Sequence, residues 1–256
     1  VNQDYPSPSN YPAQPAAPGQ VWVESPVVRP VVTYTLAAIT ILVFLLQLGT
    51  QFLYQGVDIP ALWGMKINEM IVQGQSWRLI TPVFLHGSIL HILFNMYALI
   101  SFGPGLERYY GHGRFLALYF VSGFAGNVFS FMFSTAPSLG SSTAIFGLLG
   151  AEGVFLYQNR SLFGRKAQRA LVNLITIAIV NLVIGMSPGI DNWGHIGGLI
   201  GGTLFAWLGG PVLEVDGVYP QLALTDRRQV SVAVGAGVGV FAVFALLAVL
   251  KIYLGG

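Results

Sequence analysis

Cysteine is absent from the 256-residue chain, so neither a disulfide framework nor a thiolate metal site is open to it. The redox state of its compartment is therefore not written in the sequence. Charge is scarce too: 9% of the residues are Asp, Glu, Lys or Arg, against about a quarter in an ordinary soluble domain. A net charge of +2, carried by short clusters rather than one stripe, does not describe a nucleic-acid surface. What the chain has in quantity is apolar surface, 54% of its residues, which points to lipid as its solvent.

Residues 1–30 hold seven of the fourteen prolines, among Tyr, Gln, Ser and Ala. That mixture favours extended conformers and is expected to be a disordered tail. Apolar stretches follow at 31–52, 89–102, 115–133, 142–157, 170–184, 193–208 and 230–250. A bilayer core of about 30 Å needs roughly 20 apolar residues in a helix. The expectation is an all-α, polytopic membrane bundle of about seven helices, since only helices and closed barrels satisfy their backbones in lipid. The first run comes late and is long enough to span, so it is read as a span rather than a cleavable signal. The second, fourth, fifth and sixth runs are short, which suggests helices shielded by neighbours.

Nine of the twelve Lys and Arg fall at alternate ends of these spans: Arg29, Arg108, Arg114, Arg160, Arg165, Lys166, Arg169, Arg227 and Arg228. By the positive-inside rule that end is cytoplasmic, with the N-terminus inside and the C-terminus outside. The stretch 53–85 then becomes a long outer loop in which Trp63 and Trp77 lie among polar residues, an interfacial or re-entrant element or else a solvated loop. Residues 211–229 are expected to link the sixth and seventh spans.

On this topology the second, fourth and sixth spans begin at one outer level. His91 and Asn95 share a face of the second, Ser142 opens the fourth, and His195 stands in the first turn of the sixth. Polar side chains inside a membrane are costly and usually face the bundle interior or a wet cavity. Gly147, Gly150 and Gly153 on the fourth span and Gly194, Gly198 and Gly202 on the sixth, with Gly197 and Gly201, have the small-xxx-small spacing that lets helix backbones approach. Close approach is what a Ser–His hydrogen bond between spans requires, although the glycines alone signal only packing.

The motifs are more specific. GSSTAIFG from Gly140 to Gly147, DNWGHIGGLIGG from Asp191 to Gly202 and HGSILHILFN from His86 to Asn95 resemble, in order, the nucleophile, histidine and second-span motifs of the rhomboid intramembrane serine proteases. Trp77-Arg78 in the long loop and Glu107-Arg108 after the second span extend the resemblance, which covers roughly residues 31–210. It implies a six-helix catalytic core, with 211–256 supplying a linker and one additional C-terminal helix.

The resemblance implies a dyad: Ser142 as nucleophile and His195 as general base and then acid. A hydroxyl is too weakly acidic to attack alone, and an imidazole with pKa near 6.5 can take its proton at neutral pH. The oxyanion would be held by the Ser142 backbone N–H with His91 and Asn95. Phe146, one turn below Ser142, would pack on the His195 ring or serve as ordinary core. His86 would sit at the water-facing entrance or be a satisfied interfacial histidine. Ser141 and Thr143 replace the smaller residues frequent in the family, which makes Ser141 a nucleophile to be checked.

Asp191, four residues before His195, is read as a helix N-cap rather than the third member of a triad. Glu152 is a carboxylate deep in the fourth span, expected to be protonated or paired with Asn173 or Asn181. Glu107-Arg108 is expected to be a structural hydrogen-bonding pair that holds the cytoplasmic loop.

The implied function is cleavage of peptide bonds in or next to transmembrane helices near the outer face, without metal or cofactor. Substrates would carry helix-weakening residues and a small residue before the cut. The low charge and outward site suggest a bacterial-type plasma membrane. Competing readings are a non-cleaving rhomboid-like scaffold, which would usually lack the Ser or His, and a small-molecule transporter, which would show inverted repeats that the sequence does not display.

Overall fold

Helix α1 (Val31–Leu53) starts at Pro30 without a side-chain cap of its own. Its free N–H groups are met from a distance in sequence: the Glu107 carboxylate accepts from the Val32 and Thr33 backbones at 2.8 Å each and from the Thr33 hydroxyl at 2.6 Å. A carboxylate at a helix N-terminus satisfies both the orphan donors and the helix dipole. The fourth ligand of Glu107 is His112 Nδ1, at 2.6 Å. Arg108 is exposed and makes no such bond among the described residues, so Glu107 does the holding alone, gripping α1 and, through His112, the corner at Gly111.

This computed structural model describes residues 23–26 and 28–254. After α1 come α2 (Ile59–Gly64), α3 (Asn68–Val72) and two 3-10 turns (Ser76–Leu79 and Thr81–Phe84). Arg78 stitches this long loop together, donating to Met65 O at 2.8 Å, Leu62 O at 2.7 Å and Gln75 Oε1 at 2.8 Å. The Trp77 ring stacks on Trp63 and donates its indole N–H to the Trp63 carbonyl. The loop is thus a folded unit, tied to the bundle by Asn127, which donates to Leu79 O at 3.1 Å.

Helix α4 (Ile89–Phe133) is two antiparallel legs joined at Gly111, whose φ of 71° only glycine adopts readily. Legs 89–110 and 112–133 are each about 33 Å long at 1.5 Å per residue, so the second span is not short: it runs through Pro104 to Tyr110. Helix α6 (Arg160–Ile184) likewise extends the expected fifth span toward its N-terminus, with a break at Gly164. Helices α5 (Ser142–Gln158) and α7 (Asn192–Gly209) remain short, roughly 26 Å and 27 Å. Both are enclosed: the bundle centre is α4, α5 and α7 packed on one another. Helices α1, α4, α6 and α8 (Val230–Leu254) are long and apolar enough to cross a membrane. Helix α8 lies against α4 and α7, its Phe241 stacked on Phe124 at 4.3 Å.

The stretch between α7 and α8 is more than a linker. Strands β2 (Leu213–Val218) and β3 (Gln221–Asp226) form a hairpin, and β1 (Val23–Glu24) adds in parallel on the other side of β3. Two residues expected within the disordered tail are therefore in a sheet; residues 1–22 of that tail lie outside the described residues. Arg114 from α4 pairs with Asp226, and Arg228 donates to Gly210 O at 2.6 Å at the end of α7, fastening the hairpin to the bundle.

Of the two alternatives for Glu152, protonation or a polar partner, the pairing with Asn173 or Asn181 is not found among the described residues. Asn173 and Asn181 are exposed on α6, Asn181 donates to its own helix at Ile177 O, and Glu152 Oε2 is buried without a protein partner.

Candidate active site

The chain reaches α5 along an extended segment, 134–139, and turns at Gly140, whose φ is +138° and whose N–H donates to Pro82 O at 2.9 Å. A side chain there is excluded twice over, by the backbone conformation and by the His91 ring, whose Nε2 would lie 2.8 Å from a Cβ. Ser141 is then the N-cap residue and Ser142 the first residue of α5. At that position the Ser142 backbone N–H is among those a helix leaves without an internal acceptor.

Helix α7 brings His195 to the same level. Asp191 caps it, Oδ1 accepting from Gly194 N at 2.9 Å. Two glycine faces let α7 sink between its neighbours. Gly198 sits on the Thr143 carbonyl and Gly202 on the Gly147 backbone, while Gly197 and Gly201 face Phe129 and Ala125 of α4. A methyl group at Gly198 or Gly202 would overlap main chain, so these contacts admit no larger residue without moving a helix. Gly147 meets Ser122 and Gly198, Gly150 meets Leu199 and Thr203, and Gly194 meets Asp191 and Thr143. Gly153 differs from expectation: its nearest neighbour is Leu171 of α6, not α7. Gly126 of α4, which lies in none of the sequence motifs, opens the space for Thr143 and the Gly194 carbonyl.

The outcome is a close pair facing the cavity: His195 Nε2 lies 3.0 Å from Ser142 Oγ. The Phe146 ring stacks on the imidazole with centroids 4.3 Å apart and planes at 12°. Among the described residues His195 Nδ1 has no hydrogen-bond partner; Asp191 Oδ1 is engaged by the helix it caps, while Asp191 Oδ2 is buried without a partner. Ser142 and His195 open into a cavity of about 710 Å³ whose wall includes His91, Phe94, Ser138, Leu139 and Ile190.

The neighbouring hydroxyl goes elsewhere. Ser141 is fully buried, with Oγ 3.2 Å from His86 Nε2. His86 is therefore not at a water-facing entrance: it is 1% exposed, Gln47 brackets its backbone N–H and carbonyl at 3.0 and 3.2 Å, and its ring meets His91 edge-on. Burial, aided by the adjacent His91 imidazole, pulls its pKa down to about 3, so the ring is neutral. Asn95 lies one turn beyond His91, buried, its amide donating to His91 O at 3.0 Å. The cavity wall contains His91 but not Asn95.

Sequence comparison adds to this geometry. A family model described as "Rhomboid domain" matches residues 73–212, more than half of the chain. The chain belongs to the rhomboid family. It is a multi-pass helical membrane protein of that family, and the matched region contains every polar residue just described from His86 to His195. The chain is 42% identical over 208 residues to "Rhomboid protease GluP" of Bacillus subtilis (strain 168), covering 81% of this chain and 40% of that protein. It is 34% identical over 160 residues to "RHOMBOID-like protein 9, chloroplastic" of Arabidopsis thaliana, covering 62% and 37%. To "RHOMBOID-like protein 6, mitochondrial" of the same plant it is 41% identical over 142 residues, covering 55% and 46%. The chain thus spans well under two thirds of the length of these relatives.

Proposed function

We propose that this rhomboid is an intramembrane serine endopeptidase working through a Ser142–His195 dyad. The observation that carries the reading is the 3.0 Å contact between the two side chains at the floor of a cavity, in a member of a family with a relative named as a protease. His195 Nε2 takes the Ser142 proton as Oγ attacks the substrate carbonyl carbon. The carbonyl oxygen becomes an oxyanion, which accepts from the Ser142 backbone N–H and the His91 ring, with the second amide N–H of Asn95 in reserve. As the tetrahedral adduct collapses, the peptide C–N bond breaks and His195 returns the proton to the leaving amine. A water molecule, deprotonated by His195, then releases the acyl group from Ser142.

Burial of the dyad in helices sets the substrate class. The peptide must reach the N-terminal ends of α5 and α7, opposite the end that holds Arg160, Arg165, Lys166 and Arg169. With that basic end cytoplasmic, the cavity opens to the outer side and seven crossings put the N-terminus inside. Backbone amides in an intact helix are already hydrogen-bonded, so substrates are transmembrane proteins with helix-weakening residues near the cut. A bacterial-type plasma membrane fits this arrangement. In this reading the region 31–210 forms the catalytic core and 211–254 an appended hairpin and helix.

Reconstitution with a transmembrane reporter, comparing the wild type with Ser142→Ala and His195→Ala, tests the proposal. Cleavage by the wild type alone is expected. Equal turnover by all three would remove it, and no turnover by any would favour a non-cleaving membrane scaffold.

A further inference from the structure

The cavity wall opposite His91 is the extended segment 134–139, which contributes Ser134, Ala136, Pro137, Ser138 and Leu139. Its own bonds are few: Ala136 N–H to the Ser134 hydroxyl at 3.3 Å, and the Ser130 and Ser138 hydroxyls at 3.5 Å. What fixes it comes from the long loop behind. Lys66, between α2 and α3, pairs with Ser138 by two backbone bonds, N–H to O at 2.9 Å and O from N–H at 3.1 Å. Its ammonium group donates to Ser134 O and Ala136 O, both at 2.9 Å. Asn68 adds bonds to Phe131 O and Ser134 O at 3.2 and 3.0 Å.

A lysine is an expensive choice for this place. It is 0% exposed, and a buried ammonium survives only with partners for its donors. An apolar side chain would fill the space without that cost, but would leave the Ala136 carbonyl without its donor and the Ser134 carbonyl held by Asn68 alone. Ser142, His195 and His91 depend on other supports: α5, α7, α4 and the Gly140–Pro82 bond.

We infer that Lys66 is a positioning residue for substrate, its ammonium group holding the 134–138 backbone in the shape against which a substrate segment lies. The inference rests on the protease reading above. It assigns Lys66 to substrate binding and not to bond cleavage. Charge-assisted bonds are about twice as strong as neutral ones, so the grip weakens when Lys66 loses its proton. Burial brings that pKa down to about 8, against the opposing pull of the Asp191 and Glu69 carboxylates that face the ammonium from α7 and α3.

The test uses the full chain in lipid vesicles with a transmembrane reporter, comparing the wild type, Lys66→Met and Lys66→Arg. Lys66→Met should raise KM about tenfold while kcat and the labelling rate of Ser142 by a small fluorophosphonate stay within about twofold. Lys66→Arg should recover part of the KM. The wild-type KM should be flat below pH about 8 and rise above it, because the charged form is lost there; the Lys66→Arg KM should stay flat. An unchanged KM in Lys66→Met, or a fall in kcat and labelling at constant KM, overturns the inference. If Lys66→Met does not fold, Lys66→Gln takes its place, and a KM equal to that of the wild type overturns the inference. A wild type that shows no Ser142-dependent cleavage removes the protease reading and this inference together, whereas cleavage with an unchanged KM removes only this inference.

Discussion

The Phe146 ring lies flat on the imidazole of His195, 4.3 Å between centroids and 12° from parallel, one helical turn below Ser142. With no hydrogen-bond partner at Nδ1 among the described residues, the ring is restrained by the Ser142 hydroxyl at Nε2 and by this stacked face. Phe146 is therefore expected to orient the base. Phe146→Leu, which keeps apolar volume but loses the flat face, should lower kcat by about three- to tenfold, the worth of an aromatic pair, with KM nearly constant. Phe146→Tyr should retain most activity. Steady-state kinetics with a transmembrane reporter separates the two.

Asp191 separates dyad from triad. In a triad, Asp→Asn costs about 10⁴ in turnover. Here the carboxylate accepts from Gly194 N–H, a task an asparagine oxygen performs as well. Asp191→Asn should thus leave kcat within about threefold, and Asp191→Ala should cost about 1 kcal/mol of stability. Cleavage rates together with thermal unfolding of the purified variants check both statements.

The approach of α5 and α7 predicts a position-dependent glycine effect. Gly198→Ala places a methyl group against the Thr143 carbonyl, whereas Gly235→Ala on α8 meets nothing within 4 Å. The first should destabilise by about 1–3 kcal/mol and depress cleavage by separating His195 from Ser142. The second should be neutral or slightly stabilising, as alanine is the better helix former. Thermal midpoints in one detergent measure the contrast.

Glu107 predicts loss at the opposite end of the molecule. Glu107→Ala leaves the Val32 and Thr33 N–H groups of α1 without their acceptor and strands His112. Each unsatisfied buried donor costs about 1–3 kcal/mol, so the variant should unfold at markedly lower temperature than Glu107→Gln, which keeps one acceptor oxygen. Arg108→Ala, at an exposed side chain, should change little.

How much of this was legible in the sequence differs from residue to residue. Ser142 and His195 could be placed at one level because hydropathy fixes the spans and the alternation of Lys and Arg fixes their direction. Asp191 as an N-cap followed from its position before an apolar run. Helix ends were less legible: Pro104 and the charged pair Glu107-Arg108 read as a loop, yet the helix continues to Gly111 because Glu107 is satisfied by the first turn of α1. The hairpin at β2 and β3 hid in a stretch read as a linker, although Leu222 and Leu224 alternate with smaller or polar residues as a strand does. For His86 the sequence leaves an entrance position and a satisfied histidine both open, and the choice for burial depends on Gln47 and Ser141, partners distant in sequence. Nothing local in the sequence signals that the Lys66 ammonium group is closed in by the carbonyls of residues 134 and 136.

The most direct measurement is the site of covalent labelling by a fluorophosphonate, mapped by peptide mass spectrometry in the wild type, Ser141→Ala and His195→Ala. The adduct is expected on Ser142 in the wild type and in Ser141→Ala, and should be lost or slowed by at least about a hundredfold in His195→Ala. An adduct on Ser141, or labelling of Ser142 at an undiminished rate without the histidine, would contradict the assignment of Ser142 and His195 as a working pair.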